Sequence, residues 1–150
     1  MSDLVIRPAR ESDVPAIVAM LADDALGATR ESLDDLAPYL TAFAEIDAHP
    51  HQLLLVAERD GRIVGTAQLT LMPGLSHRGM RRAEIEAVRV HTDERGSGLG
   101  TLMIEWCISE ARQRGCGMVQ LTSNASRTSA RRFYERLGFT PSHVGFKLKL

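Results

Sequence analysis

Cysteine, aromatic residues, an excess of either charge and long apolar runs are all scarce in this chain. Two cysteines in 150 residues, Cys107 and Cys116, are too few for a disulfide framework, and neither has a partner at zinc-ligand spacing. Both are expected as reduced thiols in or near a core, with no metal site. The formal net charge of -1, with signs interspersed, gives no global reason to bind a polyanion, and no aromatic-basic interleaving supports nucleic acid. No apolar run approaches membrane-spanning length, and Met1 opens a polar stretch lacking the apolar centre of a signal peptide. A cytoplasmic protein without membrane contact is the expectation. What is present is 44% apolar composition over 1–150, enough for one ordinary core, with no repeat and no low-complexity linker. A single domain follows.

The hydrophobic period changes several times along the chain. Leu4 to Ala9 alternates like a strand, and a helix follows in which Val14, Ile17, Val18 and Leu21 share a face. Ser12 or Asp13 can cap it, and Pro15 is tolerated in its first turn. A second helix is predicted from Leu33 to Ala48, with Leu36, Leu40 and Phe43 on its stripe. The runs "QLLLVAER" and "RIVGTAQLTLM" meet at Asp60-Gly61, a dipeptide suited to a tight hairpin. A loop rich in glycine and arginine precedes a further strand, "AEIEAVRV". Then come "ERGSGLG", a long helix, the strand "GMVQLTS", the helix "SRTSARRFYERLG" and a closing strand, "HVGFKLKL". This order predicts an α/β fold, a mixed sheet with helices on both faces.

Gly96, Gly98 and Gly100 alternate just before the long helix. The first turn of a helix offers unpaired N–H groups and the positive end of the dipole, so a bare backbone there suits a phosphate-bearing ligand. A nucleoside-triphosphate loop would need a lysine where this chain has Thr101 and Leu102, and a dinucleotide fingerprint would need an acid near Gln120 and Leu121. Neither reading holds. A tight strand-to-helix turn alone accounts for one or two of the glycines.

The segment "RGSGLG" resembles the arginine/glycine pyrophosphate loop of the GNAT family of N-acetyltransferases, which bind acetyl-coenzyme A. The resemblance extends over nearly the whole chain, and "AEIEAVRV" and "ARRFYERLGF" make it specific. It implies a central sheet, mixed but mostly antiparallel, flanked by helices on both faces, and N-acetyl transfer to an amine. It also implies that Arg95, Gly96, Ser97, Gly98, Leu99, Gly100 and Thr101 hold the pyrophosphate. Main-chain groups of Val88, Arg89 and Val90 would pair with the pantetheine arm, between strands that splay at Val90 and Val119. Asn124 would bond to that arm, or equally cap the next helix. The family often has an asparagine seven residues before its tyrosine, where this chain has Arg127.

Acetyl transfer requires a neutral amine, a donor for the developing oxyanion and an acid for the departing thiolate. By resemblance Tyr134 is that acid, and a backbone amide near Val90, freed by a strand bulge, is the oxyanion donor. For the base, strict alternation puts Glu84, Glu86, Val88 and Val90 on one face, with Ile85, Ala87, Arg89 and His91 on the other. Glu86 lies nearer the loop and is preferred; many family members carry a glutamate at the position of Glu84.

The resemblance places the acceptor between Asp23–Glu31 and Pro73–Arg82. Asp23, Asp24 and Glu31 suit a cationic amine, whereas His77, Arg78, Arg81 and Arg82 suit an acceptor that also bears an acid group. The ending "SHVGFKLKL" is similar to that of aminoalkylphosphonate N-acetyltransferases, with His143 a candidate ligand. A small-molecule amine is the expected acceptor; a protein or peptide acceptor, and a non-catalytic acyl-coenzyme A sensor, are the alternatives. Small members of the family are often homodimers.

Overall fold

Residues 3–150 are described by a computed structural model. Strand β1 (Leu4–Pro8) leads through a 3-10 turn into helix α1 (Val14–Ala22), where Pro15 occupies the first turn as its missing N–H permits. The Asp13 carboxylate accepts from the Arg10 amide at 2.8 Å and from the Arg7 guanidinium at 2.8 and 3.1 Å, tying the helix entrance to β1. A single turn, α2 (Gly27–Arg30), precedes α3 (Ala37–Ala48). The sequence predicts α3 from Leu33; the helix instead starts at Ala37-Pro38, because Pro38 has no N–H to bond a carbonyl one turn earlier and so belongs in a first turn. Asp35 accepts from the Ala37 amide at 3.0 Å there.

Strands β2 (Gln52–Arg59) and β3 (Arg62–Met72) form the expected hairpin, with Asp60 and Gly61 at φ 52° and 77°. The glycine and arginine loop holds a single turn, α4 (Ser76–Gly79), in which His77 and Arg78 are left-handed. Strand β4 (Arg82–Val90) leads through a second 3-10 turn and the glycine segment to α5 (Leu99–Gln113). Then follow β5 (Met118–Leu121) and α6 (Thr128–Arg136).

The strands lie in chain order, β1-β2-β3-β4-β5, antiparallel except for the last pair. β4 and β5 are parallel because α5 carries the chain back across one face. Against that face Leu55, Leu69, Ile85, Leu99, Met103 and Ile104 are fully buried. Each such side chain contributes about 1.5–3 kcal/mol of transfer free energy. Cys107 lies in the same layer, and burial pushes its thiol up to about 12; Cys116 is partly exposed and both are free. On the opposite face α1 and α3 cover the sheet with Val14, Ile17, Val18 and Phe43 packed on Val56. The mixed sheet with helices on both faces is thus as expected. The closing strand is not: residues 141–150 form no ladder, and Val144, Phe146, Leu148 and Leu150 are exposed.

Candidate active site

The pairing of β4 with β5 stops at Ile85 opposite Leu121, while β4 runs on to Val90. Beyond that point, among the described residues, β4 has no strand partner on the β5 side, which leaves its edge amides and carbonyls open to a ligand. The sequence expectation placed the splay at Val90 and Val119; Val119 is paired with Ala83, and the parting begins after Leu121.

A bulge sits at the mouth of the groove. On β3, Thr66 and Gln68 pair with Arg89 and Glu86, so one more residue lies on β4 than on β3. Ala87 takes up the excess with φ at 52°, a left-handed conformation unusual for a residue with a Cβ. The extra residue reverses every side chain after it. Val88 and Val90 therefore join the Ile85 layer under α5, not the face of Glu84 and Glu86. The Arg89 side chain is displaced the other way, toward α1 and Asp24. Unbroken alternation predicts the reverse for all three.

The two glutamates differ. Glu84 is half-buried and accepts from Gln120 Nε2 at 3.0 Å; Gln120 in turn accepts from Arg82 Nη1 at 3.0 Å. Glu86 is exposed, opposite Gln68, next to an apolar recess of about 110 Å³ lined by α1, α3, Gln68 and Ala87.

The glycine segment enters α5 as a left-handed turn. Gly96 and Gly98 have φ of 81° and 86°, and a Cβ on either would meet nothing within 4 Å. Positive φ is thus their structural requirement, and the space above them is open. Gly100 has ordinary backbone and lies where a Cβ would be 3.5 Å from Phe133. The first-turn amides of α5, at Gly100 and Thr101 among them, have no partner within the helix. Ser97 Oγ accepts from Leu99 N at 3.4 Å, and Arg95 reaches Asp23 at 3.9 Å. These residues fit a pyrophosphate: bare backbone, a helix start and one arginine.

Tyr134 is half-buried, held edge-on by Phe133 and Phe139 at centroid distances of 5.2 and 5.9 Å. Burial raises its phenol pKa, against the opposing pull of Arg89 and Arg127, so the hydroxyl keeps its proton at neutral pH. Asn124 is turned into its own loop, accepting from the Ser126 amide at 3.0 Å and hydroxyl at 2.7 Å. The local turn claims its oxygen.

Asp24 joins three elements. Its carboxylate accepts from the Gly27 amide at 2.5 Å and from Arg127 Nη2 at 3.1 Å, and Arg89 Nε lies 3.2 Å away at an angle too poor for a hydrogen bond. The Gly27 hydrogen bond, followed by the two arginines, holds this carboxyl below the usual range, while desolvation lowers the pKa of Arg89. Asp24 is therefore spoken for, contrary to its expected role toward a cationic amine. A cleft of about 450 Å³ opens here, lined by Asp24 to Leu26 and Ser126 to Ala130. Residues 73–82 line neither cavity: Arg81 donates to the Arg114 carbonyl and Arg82 to Gln120, roughly 20 Å up the strand from Arg89. His143 is exposed and contacts Ser142. Sequence reasoning treated Arg89 only as main chain; nothing local signals that its guanidinium faces Asp24.

The sequence profile of the acetyltransferase (GNAT) family matches residues 18–139. The chain belongs to the GNAT family. It is an acyltransferase of that family, whose members use acetyl-coenzyme A. Among curated relatives, an aminoalkylphosphonate N-acetyltransferase from Salmonella typhimurium is 30% identical over 94% of this chain and 88% of its own. A glucosamine 6-phosphate N-acetyltransferase from Trypanosoma brucei brucei is 37% identical over 60% of this chain and 59% of its own. A solved structure from Bacillus halodurans, described as a transcriptional regulator, superimposes with a TM-score of 0.95 at 43% identity, covering 99% of this chain and all of that one. Among the described residues of this GNAT protein, no helix is long and apolar enough to cross a membrane.

Proposed function

We propose that this GNAT protein acetylates the primary amine of a small molecule that also carries an acidic group, by direct attack within a ternary complex. The observation that carries the reading is the pair of guanidiniums, Arg89 and Arg127, meeting at the Asp24 carboxylate near Tyr134, with Asp24 and Arg127 lining the cleft. An acceptor's phosphonate, phosphate or carboxylate would take the place of the Asp24 oxygen, since arginine favours such planar or tetrahedral anions. That two relatives act on an aminoalkylphosphonate and a sugar phosphate agrees with this chemistry.

Acetyl-coenzyme A, when bound along the β4 edge, supplies the thioester. In our assignment Arg95 and residues 96–101 hold its pyrophosphate, main-chain groups of Val88, Arg89 and Val90 hold its arm, and Asn124, whose oxygen its own turn holds, offers that arm its amide N–H. Glu86 takes the proton that the ammonium must lose, directly or through water, and Glu84, braced by Gln120, is the second candidate. The nitrogen–carbon bond forms at the thioester carbonyl. Amides loosened by the bulge between Ala87 and Val90 face the negative oxygen. The carbon–sulfur bond breaks, Tyr134 gives its proton to the departing thiolate, and the second proton leaving the newly bonded nitrogen returns, directly or through water, to the phenolate.

The test is thiol release from acetyl-coenzyme A with a panel of aminoalkylphosphonates, sugar phosphates, amino acids, plain alkylamines and peptides. Acid-bearing amines should exceed plain alkylamines about tenfold or more in kcat/KM, and Arg127→Ala should erase that preference. Equal turnover of plain amines, or turnover of peptides alone, would refute the acceptor class. Calorimetric binding of coenzyme A with no thiol release from any amine would favour a sensor instead, the role in keeping with the Bacillus halodurans description.

A further inference from the structure

The cleft near Tyr134 carries more positive charge than its one carboxylate meets. Arg89 from β4 and Arg127 from the loop before α6 both turn to Asp24. Arg30 ends α2, one turn beyond Gly27, whose amide holds the same carboxylate. It is exposed and, among the described residues, has no hydrogen bond or ion pair of its own. Its charge nevertheless reaches Arg89: desolvation lowers the Arg89 pKa most, Asp24 opposes that, and Arg127 and Arg30 add to it. The neighbouring acids are engaged elsewhere, Asp23 by the Thr92 hydroxyl at 2.7 Å and Glu31 by that of Tyr39 at 3.0 Å. Three guanidiniums therefore gather around Asp24, a surplus of two positive charges.

An orphaned donor points the same way. The Gly27 amide takes Oδ1 of Asp24 and Arg127 takes Oδ2, so Arg89 is left with a second claim on an oxygen already used. Arg89 Nε is buried without a hydrogen-bond partner as a result. A buried donor left unmet is costly, and it marks a place where a further acceptor belongs. A carboxylate has only two oxygens, in one plane with its carbon. A phosphoryl group has three strong acceptor oxygens and carries close to two charges at neutral pH.

We infer, resting on the acceptor class proposed above, that the acid group of the acceptor is a tetrahedral dianion, a phosphonate or a phosphate ester, and that Arg30 selects it over a monoanion. Arg89 and Arg127 meet two of its oxygens, and the long, unpaired side chain of Arg30 meets the third from the solvent side. Thr128 and Ser129, in the wall of the cleft, add hydroxyl donors. A carboxylate satisfies this set only in part because it lacks the third oxygen. A sulfonate has the third oxygen and lacks the second charge.

The test follows thiol release from acetyl-coenzyme A with three acceptors that share an aminoethyl chain and end in phosphonate, sulfonate or carboxylate, with ethylamine as the plain control. The phosphonate should exceed the sulfonate about tenfold or more in kcat/KM near neutral pH. The gap should close on acidification, as the phosphonate takes up its second proton while the sulfonate stays singly charged. Arg30→Ala should keep its circular dichroism, lower kcat/KM about tenfold for the phosphonate, mainly through KM, and lower it much less for the sulfonate. Arg30→Lys, which keeps the charge, should recover most of that loss. Equal turnover of phosphonate and sulfonate, both above ethylamine, would overturn the dianion and leave acid-bearing acceptors standing. An Arg30→Ala variant with no loss, or with the same loss for all three acceptors, would overturn Arg30 as the selector. If no acid-bearing acceptor exceeded ethylamine, both this inference and the acceptor class would fall.

Discussion

The sheet is finished at one end and unfinished at the other. Around β2 and β3, Leu55, Val56, Ala57, Ala67 and Leu69 are dry on both faces, and the polar groups there answer one another: Thr66 donates to the Leu55 carbonyl, and Gln52 accepts from Gln68 and Thr70. Around β5 and α6 the apolar groups are half-covered, β4 runs past Ile85 with no partner on its β5 side among the described residues, and charged side chains meet at a cleft. The first region stabilises the molecule, and the second leaves backbone and side chains free for ligands. A site needs unmet groups, and unmet groups are affordable only beside a core that supplies the stability.

The sharpest way to break this contrast is to set one substitution from each region side by side. Tyr134→Phe should lower kcat by about 10²–10⁴, the usual weight of a general acid, with little change in the thermal midpoint. Leu69→Ala should cost about 2–5 kcal/mol of stability in denaturant melts while the folded fraction keeps its kcat. If Tyr134→Phe destabilised the fold as Leu69→Ala does, the tyrosine would be a core residue and the division would fail.

Within the open region, Glu86→Gln and Glu84→Gln compare an exposed carboxylate with a braced one. Glu86→Gln should lower kcat/KM about a hundredfold near neutral pH, where the amine must still be deprotonated, and less at alkaline pH. Glu84→Gln should have the smaller effect. A flat, undiminished profile for Glu86→Gln would move the base to Glu84 or to no side chain.

The smallest effects are expected on the acid limb of stability. Arg7 holds the Asp13 carboxyl below its ordinary value, with the Arg10 amide assisting. A carboxyl lowered in the folded state contributes stability above its unfolded pKa, near 4, which is lost as pH falls through the folded value. Asp13→Asn should remove about 1.5–3 kcal/mol at neutral pH and flatten acid denaturation. Asp24 is depressed in the same sense, by Gly27 first and the arginines after it. Asp24→Asn should cost less stability than Asp13→Asn but change KM for acid-bearing acceptors, which Asp13→Asn should not. Equal shifts in KM would erase the distinction between the two ends.

The residue order by itself determined the alternation of elements, the Asp60-Gly61 hairpin, the glycine turn before α5, the mixed sheet and the family. Periodicity, turn chemistry and capping act over a few residues and are visible in a string. Only the tertiary structure decided which way Val88, Arg89 and Val90 face, because one extra residue in β4 is defined by its pairing with β3 and leaves no local mark. It alone decided that Asp24 belongs to Arg127, 103 positions away, rather than to an incoming amine, and that the strand-like "HVGFKLKL" finds no edge in its own subunit. Long-range pairing depends on which groups remain unsatisfied once the chain has closed on itself, and that is a property of the fold.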